Sequence, residues 1–114
     1  MDITEKKQDG VLIFSLEGEL MGGENAIDFQ NRIYEAIKED DVSIIIDMDH
    51  VQWMNSSGLG MLMGALTTLR SSGGDLKLVN VSDRVKRPIE ITKLDSVLQI
   101  YNSLKDAVDS FGEE

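Results

Sequence analysis

The chain has 114 residues, 41% hydrophobic and 28% charged, a balance suited to one globular domain over residues 1–114 whose core needs no disulfide or metal staple. Without cysteine, and with His50 as its single histidine, it excludes disulfides, thiolate catalysis, Cys-ligated zinc and multi-histidine metal centres. Eleven Lys and Arg against 21 Asp and Glu give a net charge of −10, which repels phosphodiester backbones and anionic lipid heads, so no direct nucleic-acid partner is expected. The longest uncharged stretch, Val51 to Leu69, contains Gln52, Asn55, two serines and three glycines and is not a membrane span. Met1 to Lys6 carries no basic start followed by a cleavable apolar region, so a soluble, cytoplasmic protein is expected.

Val11 to Glu17 is apolar and partly β-branched and reads as a strand. The polar Ile3 to Gln8 can pair with it through the Asp9-Gly10 turn. Gly18 to Gly23 is a flexible connector. From Glu24 to Glu39 the apolar residues recur every three or four positions, which predicts an amphipathic helix. Asp40 and Asp41 oppose the macrodipole and are expected just beyond its last turn. Ser43 to Asp47 has the uninterrupted β-branched run of a strand covered on both faces.

Met48 to Asn55 is predicted to be a loop, and Ser57 to Arg70 a helix through Leu59, Leu62, Met63, Leu66 and Leu69. Gly58, Gly60 and Gly64 cost that helix up to about 1 kcal/mol each, which close packing on a sheet would offset. Leu76 to Val79 is the next strand. Arg84 to Lys93 is a short helix in which Pro88 predicts a break or kink. An extended piece at Val97 to Ile100 and a helix from Ser103 to Ser110 follow. The order β-β-α-β-α-β-α-β-α describes an α/β layered domain with a mixed sheet. Its core is expected to hold Val11, Ile13, Phe14, Leu16, Ile44, Ile45, Ile46, Leu62, Leu66, Leu76, Leu78 and Val79.

The most informative segment is Val51 to Gly60, which joins strand to helix with a hydroxyl at the helix start. One reading makes Ser56 a plain N-cap beside the unpaired first-turn N–H groups. The other makes it a recognition point, because those N–H groups and the helix dipole can receive a phosphate. Two serines, the two glycines Gly58 and Gly60, and the loop residues Trp53 and Met54 give the segment the character of a recognition surface. Trp53 itself fits either that surface or the core.

Enzymatic readings fit poorly. A serine hydrolase built on Ser56 needs a base, and His50 lies six residues away on the same segment with no evident acid partner. Asn55 to Gly60 lacks the flanking glycines of a nucleophile elbow. The Gly58, Gly60, Gly64 spacing misses the dinucleotide fingerprint by one residue. Asp47 and Asp49 alone make a thin magnesium site. No enzymatic activity, metal or cofactor is therefore expected.

The run from Ile44–Asp47 into Asn55-Ser56-Ser57-Gly58-Leu59-Gly60 resembles the STAS-domain anti-sigma-factor antagonists. Gly18-Glu19-Leu20, Gly73-Gly74-Asp75-Leu76-Lys77-Leu78 and the apolar spacing of Val85, Ile89, Ile91, Leu94 and Val97 extend the resemblance over nearly the whole chain. The resemblance implies a STAS-like single domain and a partner switch. In such a switch the unmodified antagonist binds an anti-sigma factor that is also a serine kinase. Phosphorylation of the first motif serine, Ser56 here, ends binding, and a metal-dependent serine phosphatase restores it. The partner surface would comprise Met21, Gly22, Gly23, Trp53, Met54, Asn55, Ser57 and Gly58. Asn55 stands where the family usually has aspartate, and Met21 where aspartate often follows Gly-Glu-Leu; both remove a negative charge. Two rivals stay open: a STAS scaffold or regulator whose switch does not end at a sigma factor, and a small hydrolase using Ser56 with His50.

Overall fold

The computed structural model describes residues Met1–Gly112. The chain opens with a hairpin of β1 (Asp2–Gln8) and β2 (Val11–Leu20), antiparallel with Gln8 opposite Val11. Its two turn residues, Asp9 (φ 53°) and Gly10 (φ 80°), both take the left-handed conformation that a two-residue hairpin demands. Helix α1 (Glu24–Lys38) leads to β3 (Ser43–Met54), α2 (Ser56–Ser71) and β4 (Asp75–Val79). Helix α3 (Asp83–Ile91), a 3-10 turn at Leu94–Ser96, β5 (Gln99–Tyr101) and α4 (Leu104–Phe111) follow. The sheet order is β1-β2-β3-β4-β5, and every pair after the first is parallel. This is the mixed α/β sheet and the element order that the sequence predicts.

Alternation along β3 sends Ile44, Ile46 and Met48 to one face, where they meet Phe29 and Ile33 of α1, Leu62 and Leu66 of α2, and Val85 and Ile89 of α3. Phe14 and Phe29 pack edge to face there, with ring centroids 6.5 Å apart. On the other face Val11, Ile13, Ile45 and Val79 meet Ala107 and Val108 of α4. All twelve expected core residues are buried. Lys77 is buried as well, 5% exposed, with Nζ 4.1 Å from the Phe111 ring centroid and donating to Ser110 Oγ at 2.7 Å.

Four expectations are corrected. Residues Met48 to Met54 are not loop but the second half of β3. Register shifts against β2, between Ser15 and Glu17 and between Gly18 and Glu19, each insert an extra β3 residue. The buried positions Met48, Val51 and Met54 therefore recur every third residue, and the alternation that marks a strand is erased. Gly18, Glu19 and Leu20 likewise belong to β2, which shortens the connector to Met21-Gly22-Gly23. Pro88 does not break α3. It removes the donor to the carbonyl of Arg84, an exposed residue where water can serve that oxygen, and the helix runs on to Ile91. Finally, only Gly58 of the three α2 glycines sits against the sheet; beside Gly60 and Gly64 there is open space. No helix among the described residues is long and apolar enough to cross a membrane.

Candidate modification and partner-binding site

Strands β2 and β3 end side by side, Leu20 opposite Met54, at the carboxyl edge of the parallel sheet where α/β folds place their sites. The strand pairing reaches one residue further, with Asn55 N–H donating to the Leu20 carbonyl at 3.3 Å. Asn55 thus keeps an extended backbone (φ −100°, ψ −177°), the geometry of an N-cap. Its Oδ1 accepts the Gly58 N–H at 2.8 Å. The cap is therefore Asn55, and Ser56 is the first residue of α2, one position further into the helix than the sequence reading placed it.

This shift frees the serines. Ser56 and Ser57 are both exposed, and among the described residues no hydrogen bond engages either hydroxyl. Gly58 N–H is taken by Asn55, which leaves the Ser56 and Ser57 N–H groups as open donors at the positive end of the helix. Gly58 holds the helix start in place. A Cβ there would lie 1.9 Å from the Leu20 carbonyl oxygen, so only glycine lets α2 approach the end of β2. The Met21-Gly22-Gly23 connector packs on the same turn. A Cβ on Gly22 (φ +88°) would come within 2.8 Å of Ser57 Cβ.

Of the residues singled out from the sequence, the structure gathers Ser56, Ser57, Asn55, Gly22 and Gly58 at this corner. Met21 is 40% exposed on the connector and Gly23 is exposed at the start of α1. Trp53 pairs with Glu19 one step before the strand ends and is 44% exposed, so it is not a core residue. Gly58, also expected on the partner surface, is buried with its N–H held by Asn55, so it shapes the corner without meeting a partner. Met54 is the second exception. It is 3% exposed beneath Gly58 and cannot supply apolar contact to a partner. Arg84 of α3 was missed: its guanidinium carbon lies 5.9 Å from the Trp53 ring centroid, a cation–π arrangement. The only sequence signal for it was the cationic cluster Arg84, Lys86 and Arg87 in an acidic chain.

The hydrolase pair is not assembled. His50 lies opposite Glu17 and Met54 opposite Leu20, so roughly 10 Å of strand separates His50 from Met54 before Ser56 is reached. A serine and its base need hydrogen-bond contact. The nearest carboxylate to His50 is Asp49, at 3.8 Å. Asp47 is also occupied: its Oδ1 accepts from Asn80 Nδ2 and from the Asp49 N–H, both at 3.1 Å.

Comparison with known proteins agrees with this architecture. The anti-sigma-B factor antagonist of Listeria monocytogenes is 31% identical over 106 residues, covering 90% of this chain and 88% of that one. An anti-sigma factor antagonist from Mycobacterium paratuberculosis superposes with a TM-score of 0.84 at 25% identity, covering 98% of this chain and 94% of that one. The Bacillus cell fate determinant SpoIIAA, solved in its phosphorylated form, shares the fold with a TM-score of 0.73 at 20% identity, covering 96% and 99%. The family defined by the STAS domain matches residues 2–107. A five-stranded mixed sheet, its helices and a match across nearly the full chain lead to one conclusion: this chain belongs to the STAS domain family.

Proposed function

We propose that this chain is a cytoplasmic, non-enzymatic anti-sigma-factor antagonist controlled by phosphorylation of Ser56. In this reading the unmodified protein binds an anti-sigma factor with serine kinase activity, using Met21, Gly22, Gly23, Trp53, Asn55 and Ser57 around Ser56. The kinase then phosphorylates Ser56, the complex dissociates, and a metal-dependent serine phosphatase resets the protein. The observation that carries the reading is the unengaged Ser56 hydroxyl on the first residue of α2, beside two open backbone N–H donors. Those donors and the helix dipole accommodate a phosphate without unfolding the helix. The relatives named anti-sigma factor antagonists support the partner class.

A phosphate of about −1.5 to −2 charges is sufficient to switch binding off. One unit charge about 5 Å from a partner carboxylate costs roughly 3 kcal/mol at an effective dielectric near 20. A micromolar complex has only about −8 kcal/mol in total, so a penalty of roughly 3–5 kcal/mol weakens it by two to four orders of magnitude. The test is incubation with the cognate kinase followed by fragmentation mass spectrometry. Phosphate is expected on Ser56, with Ser56→Ala binding permanently and Ser56→Asp binding weakly. Phosphate on Ser57, or normal switching by Ser56→Ala, overturns the assignment. Met21→Lys with Trp53→Lys is expected to abolish binding by a folded protein; undiminished binding removes this surface.

A further inference from the structure

We infer that α3 forms a second half of the partner surface, a stripe of cations and apolar groups joined to the Ser56 corner through Trp53, and that it seats an acidic partner segment carrying interspersed apolar side chains. The inference rests on the reading that a protein partner docks at Ser56.

Val85 and Ile89 turn the inner face of α3 to the core. Arg84, Arg87, Pro88 and Ile91, spaced three, four and seven apart, fall together on another face. Arg84 and Arg87 are exposed, and Ile91 is exposed to 67%. An isoleucine so placed contributes nothing to the core, but one turn beyond two exposed arginines it completes the composition of a docking face.

The ion pairing points the same way. Elsewhere Lys7, Arg32, Lys38, Arg70 and Lys105 each have a carboxylate within 4.0 Å; Lys77 is buried on Ser110 and the Phe111 ring, and Lys6 on the edge strand is unpaired among the described residues. Among the described residues Arg84, Lys86, Arg87 and Lys93 form no ion pair, although acids outnumber cations 21 to 11 in the chain. In so acidic a molecule, a helix whose cations are left without carboxylates is open to carboxylates from outside. Arg84 links the stripe to the site, since its guanidinium already rests by the exposed Trp53 ring. That contact sets side by side two side chains of the types that dominate binding hot spots. The net charge of −10 opposes a nucleic acid on the same stripe. An acidic partner face also fits the switch, because it is what a phosphate on Ser56 repels.

The experiment measures association and dissociation rates of the full chain with each purified anti-sigma factor of the source organism, over a range of salt. Wild type, Ser56→Asp, Arg84→Lys, Ile91→Ser and the double variant Arg84→Glu with Arg87→Glu are compared, each checked for a native unfolding transition. The double reversal is expected to slow association at least about tenfold and to flatten its salt dependence. Arg84→Lys retains the charge and is expected to keep the salt dependence, while Ile91→Ser speeds dissociation. If the double variant binds within about twofold of wild type while Ser56→Asp is still defective, the α3 surface is overturned and the proposed function stands. If no anti-sigma factor binds wild type, both fall. Retention of mixed-sequence single-stranded RNA by wild type, lost in the double variant, overturns the protein partner in favour of nucleic acid.

Discussion

At Gly58 the atom nearest to a notional Cβ is the Leu20 carbonyl oxygen, 1.9 Å away, whereas at Gly60, two residues on, nothing lies within 4 Å. Alanine at the first position must push α2 off the end of β2 and disturb the Asn55 cap, for a loss of about 1–3 kcal/mol. Alanine at the second removes a helix-interior glycine from open space, for a gain of roughly 0.5–1 kcal/mol. Urea denaturation of Gly58→Ala and Gly60→Ala is therefore expected to shift the midpoint in opposite directions. From sequence the two positions look alike, since each is a glycine in a helical pattern. Only the carbonyl brought near by tertiary packing tells them apart. The cap was hidden for a related reason. Asparagine and serine cap about equally well, and the choice fell to Asn55 because its N–H still pairs with Leu20 across the strands.

The elements were legible where their periodicity ran unbroken. Helix α1 shows its apolar face at three- and four-residue spacing and ends at Lys38, one residue short of the expected Glu39, with Asp40 already outside the helix at φ 62°. The apolar run of β3 likewise announced a strand covered on both faces. Its Ile45 lies on the α4 face, between Val11, Ile13 and Val79. Ile45→Ala is expected to cost about 2–5 kcal/mol by chemical denaturation; a loss below about 0.5 kcal/mol would mean that the position is not core. The second half of β3 escaped notice because each bulge resets the inward–outward alternation. The extra residues that obscured the strand also give it the length to carry Trp53 and Asn55 to the edge where Leu20 ends. Helix α3 passes Pro88 because its missing bond falls on an exposed turn, which the residue order alone does not disclose.

At the scale of the molecule the sheet is unequally clothed, with α1, α2 and α3 over one face and α4 alone on the other. The candidate site lies at the rim of the thicker side, where the first turn of α2 rests on strand ends whose cores are fully buried. A charge added at Ser56 therefore acts on the rim and leaves the two cores untouched. Ser56→Asp, with its carboxylate at a helix N-terminus, is expected to match wild type to within about 1 kcal/mol in stability. A thermal midpoint lowered by many degrees would instead make the proposed switch a loss of fold. Edge strand β1 displays Glu5, Lys6 and Lys7 to solvent, charges that discourage edge-to-edge pairing between copies. Trp53 is the one tryptophan of the chain and lies at this rim, half open to water and under a guanidinium. The molecule thus carries its own optical reporter. Seating a partner that lacks tryptophan should dry the indole and move its emission to shorter wavelength, while Ser56→Asp mixed with that partner should emit as the free protein does, so the proposed switch can be followed in real time without a label.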